Sequence, residues 1–247
     1  GASRKSGAQD YIFTISQPPV LGGLLGVISK WRKHAKMIYC VQDFNPEQIM
    51  AVGYSRNKFL LRLMMAFDKL SCRYSDLVIT VGRDLGDTLK RRFHKKRMPR
   101  YTIINNWIDE KETYPLPADH EKVVEFKKKY GLEKRFVIMY SGNMGLYYDL
   151  ENIMEVIGKI KPGTRAADGR EVAFVFAGAG SVLDKLTKYV REHHMENVVF
   201  VPYQDKEELI YSLNAADVHW CVNAKGIKGV SCPSKFYGIA AVAQPVL

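Results

Sequence analysis

The amino-acid sequence predicts an α/β protein built on parallel sheets. Short runs rich in β-branched and aromatic residues recur along the 247 residues, and helical patterns separate them. Several runs are apolar throughout, as expected for strands that are covered on both faces. Strands that alternate with helices in this way are typical of parallel sheets with helices on both sides.

The elements can be placed in chain order. Strands are predicted at residues 11–15, 37–41, 77–81, 101–104, 136–140, 172–176, 198–201 and 218–222. Helices are predicted at residues 58–73, 84–93, 121–130, 150–160, 181–194, 206–214 and 235–242. Several helices begin at or next to a residue that favours a helix N-terminus, namely Asp84, Asp149, Gly180 and Asp205.

Residues 107–118 separate the first four strands from the last four. They contain two prolines and no apolar period, which predicts a linker. We therefore expect two domains, an N-terminal one over residues 1–118 and a C-terminal one over residues 119–247. The sequence begins at Gly1 without a methionine and stops in an apolar run at Leu247. A fragment that is incomplete at both ends is therefore expected.

The composition excludes several classes of protein. With 47% hydrophobic and 26% charged residues, the chain is neither disordered nor collagen-like. No apolar run approaches the roughly 20 residues of a membrane-spanning helix. The four cysteines lie far apart without a Cys-x-x-Cys pair, so neither a disulfide framework nor a zinc site is expected. Reduced thiols in a cytoplasmic protein are the expectation.

The positive charge is concentrated in the first half of the chain. The formal net charge is +11, to which residues 1–120 contribute 20 basic and 11 acidic side chains. Residues 121–247 contribute 17 basic and 15 acidic side chains. A basic first half attracts polyanions, anionic lipid head groups or phosphorylated ligands, and the charge alone leaves all three open.

Two glycine-rich turns follow predicted strands of the second half. Residues 141–145 read Ser-Gly-Asn-Met-Gly, and residues 177–181 read Ala-Gly-Ala-Gly-Ser. Parallel sheets bind ligands beyond the carboxyl ends of their strands, where glycine allows the backbone to approach a phosphate. Any turn from strand to helix favours glycine, so each turn alone is a weak signal. Two of them on neighbouring strands indicate a phosphate-bearing ligand.

A third loop follows the last predicted strand. Residues 223–235 contain three lysines and two glycines, and Pro233 with Ser234 stands where an N-cap would precede the last helix. Lys235 then falls in the first helical turn, where the helix dipole disfavours a cation unless an anion binds. Lys235 is therefore the strongest candidate for a pyrophosphate contact, and an exposed surface lysine is the alternative.

The ordered motifs of the second half resemble the donor domain of GT-B glycosyltransferases of family 4. They are Met139-Tyr-Ser-Gly-Asn-Met-Gly145, Phe174-Val-Phe-Ala-Gly-Ala-Gly180, Val199-Phe-Val-Pro-Tyr203, Leu213-Asn-Ala-Ala-Asp217 and Gly229-Val-Ser-Cys-Pro-Ser-Lys-Phe-Tyr-Gly238. In the first half, residues 14–19, 41–47, 76–81 and 104–109 resemble the acceptor domain. The chain is most similar to the bacterial branch that builds capsular, colanic-acid-type and O-antigen polysaccharides.

The resemblance implies a GT-B fold, in which two Rossmann-like domains face each other across a cleft. It implies transfer of a sugar from a nucleotide-sugar donor, with UDP as the expected nucleotide, to a glycan or polyprenyl-diphosphate-linked acceptor. It also implies retention of the anomeric configuration. No metal and no other cofactor are expected, which agrees with the lack of an Asp-x-Asp motif. The expected location is the cytoplasm, with peripheral binding to the inner face of the plasma membrane as a further expectation.

The resemblance also implies roles for single residues. Contacts to the donor diphosphate are expected from Ser141, Gly142, Asn143, Gly145, Ser234 and Lys235. Contacts to the nucleotide are expected from Gly178, Gly180, Pro202 and Tyr203. Asp43 and Glu47 are expected to orient or deprotonate an acceptor hydroxyl, and the alternative for Glu47 is a structural cap of the following helix. Gly238 replaces the glutamate with which many family members hold the donor ribose.

Three further hypotheses concern the function of the chain: a nucleotide-sugar epimerase, a helix that binds a membrane surface, and a basic run that binds nucleic acid. A nucleotide-sugar epimerase of the same fold would need additional acidic and histidine residues in the cleft. The helix at residues 58–73 carries an apolar stripe, and such a stripe is usually core-facing. Four basic residues beside it, with the basic run at residues 90–97, make binding to an anionic membrane surface the alternative, and the sequence leaves both open. The same run motivates nucleic-acid binding. It lacks interleaved aromatic residues and any known nucleic-acid motif, so no nucleic-acid partner is expected.

Overall fold

The computed structural model describes residues 7–94 and 98–247. These residues form two compact units. The first contains the described residues up to Asn106 together with Lys225–Cys232, and the second contains Trp107–Ala224 and Pro233–Leu247. Residues 1–6, and Lys95, Lys96 and Arg97 of the predicted basic run, lie outside the described residues.

The first unit contains a four-stranded parallel sheet. Its strands are β1 (Tyr11–Ile15), β2 (Lys36–Val41), β3 (Leu77–Thr80) and β4 (Tyr101–Ile103), in the order β1-β2-β3-β4. Its helices are α1 (Leu21–Lys33), α2 (Glu47–Ala51), α3 (Lys58–Tyr74) and α4 (Arg83–Phe93). The four predicted strands and the last two helices are confirmed. The sequence did not predict α1 or α2.

The second unit contains another four-stranded parallel sheet. Its strands are β5 (Arg135–Ser141), β6 (Glu171–Ala177), β7 (Val198–Val201) and β8 (Val218–His219), in the order β7-β6-β5-β8. Its α-helices are α5 (Glu121–Lys129), α6 (Leu150–Ile157), α7 (Leu183–Glu192), α8 (Lys206–Asn214) and α9 (Lys235–Ala241). A 3₁₀ turn, Leu146–Tyr148, precedes α6. The last strand ends three residues earlier than predicted.

Side chains of β5 and β6 alternate between two buried clusters, as the apolar character of these strands predicts. Val137 and Met139 pack with residues of α5 on one face. Tyr140 and Phe176 pack with residues of α6 and α7 on the other. Helices therefore cover both faces of this sheet, and the ligand-binding edge is left at its strand ends.

Two segments belong to a different unit from the one the sequence suggests. The predicted linker packs on the second unit: the N–H of Leu116 donates to Oδ1 of Asn214 at 2.8 Å, and Nδ2 of Asn214 donates to the carbonyl of Tyr114 at 3.1 Å. Residues 225–232 pack in the first unit, where the Thr88 hydroxyl donates to the carbonyl of Gly229 at 2.6 Å. The division between the units therefore lies at residues 106–107, whereas the sequence placed the domain boundary at residue 118.

Within residues 7–94 and 98–247, every helix is too short or too polar to cross a bilayer.

Candidate functional site

A cavity of about 280 Å³ lies at the carboxyl edge of the second sheet. At the strand ends it is lined by Ser141, Gly142, Ala177, Gly178, Tyr203 and Gln204. Ser234 and Lys235 line it at the start of α9. Because β5 stands between β6 and β8, the chain order reverses here, and parallel α/β sheets bind ligands at such a reversal.

The loops after β5 and β6 bind each other through their backbones. The N–H of Gly142 donates to the carbonyl of Ala177 at 2.8 Å, and the N–H of Met144 donates to the carbonyl of Ala179 at 2.7 Å. Gly178 has φ = 138°, and a Cβ at this position would overlap the carbonyl oxygen of Gly142. Glycine is therefore needed at residue 178 for the contact between the two loops, a reason that the sequence did not suggest.

The side chain of Lys235 lies along the first of these loops. A Cβ at Gly142 would stand 2.6 Å from Cε of Lys235, so a larger residue at position 142 would displace the lysine side chain from this position. Nζ of Lys235 lies 3.2 Å from the ring centroid of Tyr148 and 5.1 Å from that of Tyr140. In the described part of the chain, no carboxylate lies within ion-pair distance of this ammonium.

Burial lowers the pKa of Lys235 to about 8. The physical cause is loss of hydration, because protein atoms, among them the Tyr148 ring, cover much of the ammonium. Within the described residues, no carboxylate balances the positive charge of this ammonium. Binding a diphosphate would supply the missing negative charge.

The remaining wall of the cavity is largely apolar. Ile108, Leu209, Leu213 and Ile239 line it together with Gly238. Lys206 lies at the same cavity and forms an ion pair with Glu112 at 2.5 Å. The cavity thus offers cationic and aliphatic groups together, which suits a ligand that combines a diphosphate with a flat ring.

Six of the ten predicted donor-site residues line this cavity, namely Ser141, Gly142, Gly178, Tyr203, Ser234 and Lys235. The other four, Asn143, Gly145, Gly180 and Pro202, are not among the lining residues. The carbonyl of Asn143 instead accepts a hydrogen bond from the Tyr140 hydroxyl at 2.6 Å. The roles of all ten in donor binding stay predictions.

The capping role expected of Ser234 is wrong. Ser234 precedes α9 with φ = −61° and ψ = −23°, and within the described structure its hydroxyl caps none of the N–H groups of this helix. A capping serine needs an extended backbone to turn its oxygen over the first helical turn, whereas Ser234 is already helical. The N–H groups at the start of α9 are therefore left without that cap.

Sequence reasoning missed several residues of the site. Ile108 lies in the predicted linker, and Leu209, Leu213 and Ile239 have the apolar spacing of ordinary core residues of a helix. Tyr148 sits in a 3₁₀ turn without a periodic signal. Only the tertiary fold brings these residues beside the strand ends.

The predicted acceptor-side residue Asp43 follows β2 in the first unit. It is half-buried, and burial raises the pKa of its carboxyl group, although hydrogen bonds from Ser231 and Gln17 oppose that shift. Nε2 of Gln17 lies 3.4 Å from Oδ2 of Asp43. A carboxylate with a raised pKa is suited to accept a proton, and this role of Asp43 stays a prediction.

Glu47 is the first residue of α2, and Arg92 binds its carboxylate. Nε of Arg92 donates to Oε1 of Glu47 at 2.7 Å, and Nη2 donates to Oε2. The same guanidinium binds Asp68 and donates to the carbonyl of Asn45 at 2.9 Å. These contacts indicate a structural role for Glu47, but not the predicted cap: within the described residues the N-cap of α2 is Pro46, and no side chain caps this helix. Its catalytic role stays a prediction.

Comparison with protein-family models gives no match. The chain is similar to a probable glycosyltransferase WbjE of Pseudomonas aeruginosa, with 26% identity over 213 residues that cover 86% of this chain and 50% of that protein. It is similar to a putative colanic acid biosynthesis glycosyl transferase WcaI of Escherichia coli K12, with 24% identity over 84% of this chain and 49% of that protein. The chain therefore spans about half the length of these curated relatives.

Solved structures give the fold. HepE of Anabaena in complex with UDP matches with a TM-score of 0.68 and 13% identity, over 96% of this chain and 58% of that one. Sucrose-phosphate synthase of Thermosynechococcus elongatus matches with a TM-score of 0.72 and 14% identity, over 96% of this chain and 55% of that one. The chain has the GT-B glycosyltransferase fold. This confirms the predicted fold class and the resemblance on which it rests.

Within the two described stretches, no group of three His, Cys, Asp or Glu side chains comes together as a metal site requires. The expectation of a metal-independent protein stays a prediction.

Proposed function

We propose that this GT-B chain transfers a sugar from a UDP-sugar donor to a glycan or polyprenyl-diphosphate-linked acceptor in the synthesis of a cell-surface polysaccharide. The observation that carries the proposal is the ammonium of Lys235, which lies in a cavity at the strand ends and has no carboxylate of the described residues within ion-pair distance. The similarity to WbjE and WcaI supports a polysaccharide glycosyltransferase. The UDP complex of HepE, which has the same fold, supports UDP as the nucleotide.

The proposed chemistry is electrostatic. As the bond between the sugar C1 and the donor diphosphate breaks, its electron pair stays on the diphosphate, and the Lys235 ammonium stabilises the growing charge. The acceptor oxygen forms the new bond to C1 and loses its proton, which we assign to the Asp43 carboxylate. We further propose that the reaction needs no metal and retains the anomeric configuration, so the acceptor oxygen approaches C1 from the face that the diphosphate leaves.

The epimerase alternative is less well supported. The curated relatives reported above are named as glycosyltransferases. The described cavity is lined by no acidic or histidine side chain, which an epimerase would need. His34, His94 and His193 stand at the C-terminal ends of helices, and His219 is buried with Nε2 at 2.9 Å from the carbonyl of Leu213.

Thermal unfolding with added nucleotide tests the donor site. UDP at about one hundred times its dissociation constant should stabilise the fold by about 2.7 kcal/mol, a rise in Tm of roughly 5–10 °C. Lys235→Met should abolish most of this rise because it removes the cation. Lys161→Met, which removes an exposed charge of the same unit, is the matched control and should leave the rise intact. If UDP, GDP and their sugars all leave Tm unchanged in a folded protein, the donor site is wrongly assigned.

We also propose that α3 binds an anionic membrane surface, where a polyprenyl-linked acceptor would lie. One face of α3 docks on the first unit, since Asp68, Ser71 and Cys72 are buried. At about 100° per residue, the four basic residues Lys58, Arg62, Lys69 and Arg73 fall within about 60° of one another. They form a single stripe beside the docked face.

The third face of α3 is apolar and exposed. Phe59 is 76% exposed, and Leu60, Leu63 and Phe67 are also exposed. No acidic residue occurs between residues 48 and 67. A cavity of about 470 Å³ beside the stripe is lined by Lys69, Arg73 and His94 among others, which suits an anionic head group. An apolar face flanked by basic side chains is the pattern of a helix that lies in a lipid interface.

A further inference from the structure

The ammonium of Lys235 lies on the face of the Tyr148 ring. The distance from Nζ to the ring centroid is 3.2 Å, well within the range of a cation–π contact. Tyr148 is not among the residues that line the cavity, whereas Lys235 is. The ring therefore contacts the lysine without belonging to the described lining of the cavity.

The position of this ring is fixed by its surroundings. Tyr148 ends the 3₁₀ turn after β5, and the carbonyl of the preceding Tyr147 accepts a hydrogen bond from the N–H of Ala224 at 2.8 Å. The rings of Tyr148 and Tyr140 have centroids 6.1 Å apart. Tyr140 is fully buried, and its hydroxyl donates to the carbonyl of Asn143 at 2.6 Å. The partly buried Tyr148 ring is thus packed against the buried cluster that contains Tyr140.

An aromatic ring has a different effect on a binding cation than a carboxylate would have. The quadrupole of the ring attracts the ammonium without adding a negative charge. A carboxylate in the same place would neutralise the ammonium and compete with an incoming diphosphate. The ring instead keeps the lysine in the cavity while its full charge stays available. The cost of burial, which lowers the pKa of Lys235, is then relieved when an anion binds.

We infer that Tyr148 is a positioning residue, which holds the Lys235 ammonium toward the donor diphosphate without touching the donor. The inference rests on the proposed function for its ligand. The Lys235–Tyr148 contact itself belongs to the ligand-free protein and can be measured there.

A double-mutant cycle on UDP affinity tests the inference. Tyr148→Leu removes the ring, and calorimetry should show UDP binding about 5–10-fold weaker, the range of a partly desolvated cation–π contact. Tyr148→Phe keeps the ring and should bind UDP within about twofold of the parent. In a Lys235→Met background, Tyr148→Leu should cause no further loss. A structural role alone would give the same loss in both backgrounds.

The other outcomes overturn the inference. An equal loss with Tyr148→Phe would assign the effect to the hydroxyl, and an equal loss in the Lys235→Met background would assign it to a direct ligand contact or to the fold. If UDP binds neither the parent nor any variant, the proposed donor site is wrong. NMR of the ligand-free protein then tests whether Lys235 contacts the Tyr148 ring. The ε-methylene protons of Lys235 should show an upfield ring-current shift in the parent and Tyr148→Phe. Absence of this shift in the parent would overturn the inference regardless of the ligand.

Discussion

At the start of α9, Lys235 combines two features that oppose a positive charge. Its ammonium is half-buried, and the helix dipole places partial positive charge at the same end. Burial lowers its pKa from 10.5 to about 8. Between these two values the unfolded chain binds more protons than the folded one, so stability rises with pH across this window. The cost of keeping the charge is fully present below about pH 8.

Replacing this lysine should therefore stabilise the ligand-free protein. Lys235→Met keeps an unbranched side chain over the Tyr148 ring and removes the charge, so Tm at pH 7 should rise by roughly 3–6 °C. The difference from the parent should shrink between about pH 8 and 10.5, as the lysine of the folded parent loses its proton. Scanning calorimetry at several pH values measures this, with Lys161→Met as the control that should change little. A variant that melts below the parent at pH 7 would show that the cation–π contact outweighs the cost of burial.

Lys235 could be identified as a candidate from the sequence, whereas its contact with the Tyr148 ring could not. A lysine in the first turn of a helix violates a local rule, and such violations can be read without a structure. The contact with Tyr148 depends on where the 3₁₀ turn after β5 places a ring, which no local pattern encodes. The failure of Ser234 as a cap has a similar origin, since it depends on a backbone angle.

Helix α4 organises the first unit at the scale of elements. Asp84, Thr88 and Arg92 are spaced four residues apart and lie on one face of this helix. Both Asp84 and Thr88 bind Gly229 of the segment 225–232. The N–H of Gly229 donates to Oδ2 of Asp84 at 3.0 Å, and the Thr88 hydroxyl donates to the carbonyl of Gly229 at 2.6 Å. Arg92 binds Glu47 and Asp68 and stacks on the Phe44 ring, with Cζ 4.1 Å from the centroid. One helix thus contacts residues 44–47, which follow Asp43 in the chain, and the segment 225–232, in which Ser231 pairs with Asp43.

Removal of the Arg92 guanidinium should destabilise this unit strongly. Arg92→Met would leave the carboxylates of Asp68 and Glu47 without their partner in a buried site, a change that costs about 3–5 kcal/mol in comparable ion pairs. Urea denaturation measures the loss. The matched control is Lys90→Met on the same helix, where the ion pair with Asp87 is exposed and its removal should have little effect. Equal stability of Arg92→Met and the parent would show that well-packed apolar atoms replace this network without cost.

Helix α1, which the sequence did not predict, shows that tertiary packing can override a low intrinsic helix propensity. Helix α1 contains Gly22, Gly23 and Gly26, which lower the helical propensity of the segment. The structure explains Gly23, where a Cβ would stand 2.7 Å from the side chain of Ser71 on α3. Strands β5 and β6, by contrast, were predictable because their apolar character follows from burial on both faces.

At the scale of the whole molecule, the two halves of the chain differ in what the sequence could reveal. The strand ends of the second half carry their glycines and Lys235 in contiguous motifs, so most of the polar wall of the cavity was predictable. Its apolar wall comes from residues 108, 209, 213 and 239, which are scattered over more than half of the chain. The position of residues 225–232 in the first unit was also not predictable from the sequence, because it depends on contacts with α4.

The uneven charge of the molecule leads to a separate expectation. The first 120 residues have nine more basic than acidic side chains, and the next 127 have only two more. The exposed apolar face of α3 lies in the basic half, beside its stripe of four basic side chains. Electrostatic attraction to an anionic leaflet contributes about 1 kcal/mol per basic residue near the surface and weakens with salt.

Vesicle sedimentation tests the membrane proposal. The parent should bind vesicles of phosphatidylglycerol and phosphatidylcholine, release them in high salt, and bind phosphatidylcholine alone far less. The double substitution Lys58→Glu with Arg62→Glu should weaken binding to the anionic vesicles by at least about tenfold. Phe59→Ser with Leu63→Ser should weaken it as well, because the apolar face no longer enters the lipid.

The control reverses two charges in the second unit. Lys128→Glu with Lys129→Glu changes the net charge by the same amount as the α3 double substitution, on exposed side chains of α5. If binding depends on α3, this control keeps most of its affinity, whereas a dependence on net charge alone would reduce binding equally in both. Equal binding of the parent to neutral and anionic vesicles would contradict the electrostatic part of the proposal. Binding that tolerates both α3 variants would place the lipid contact elsewhere, and the apolar face of α3 would then need a different partner.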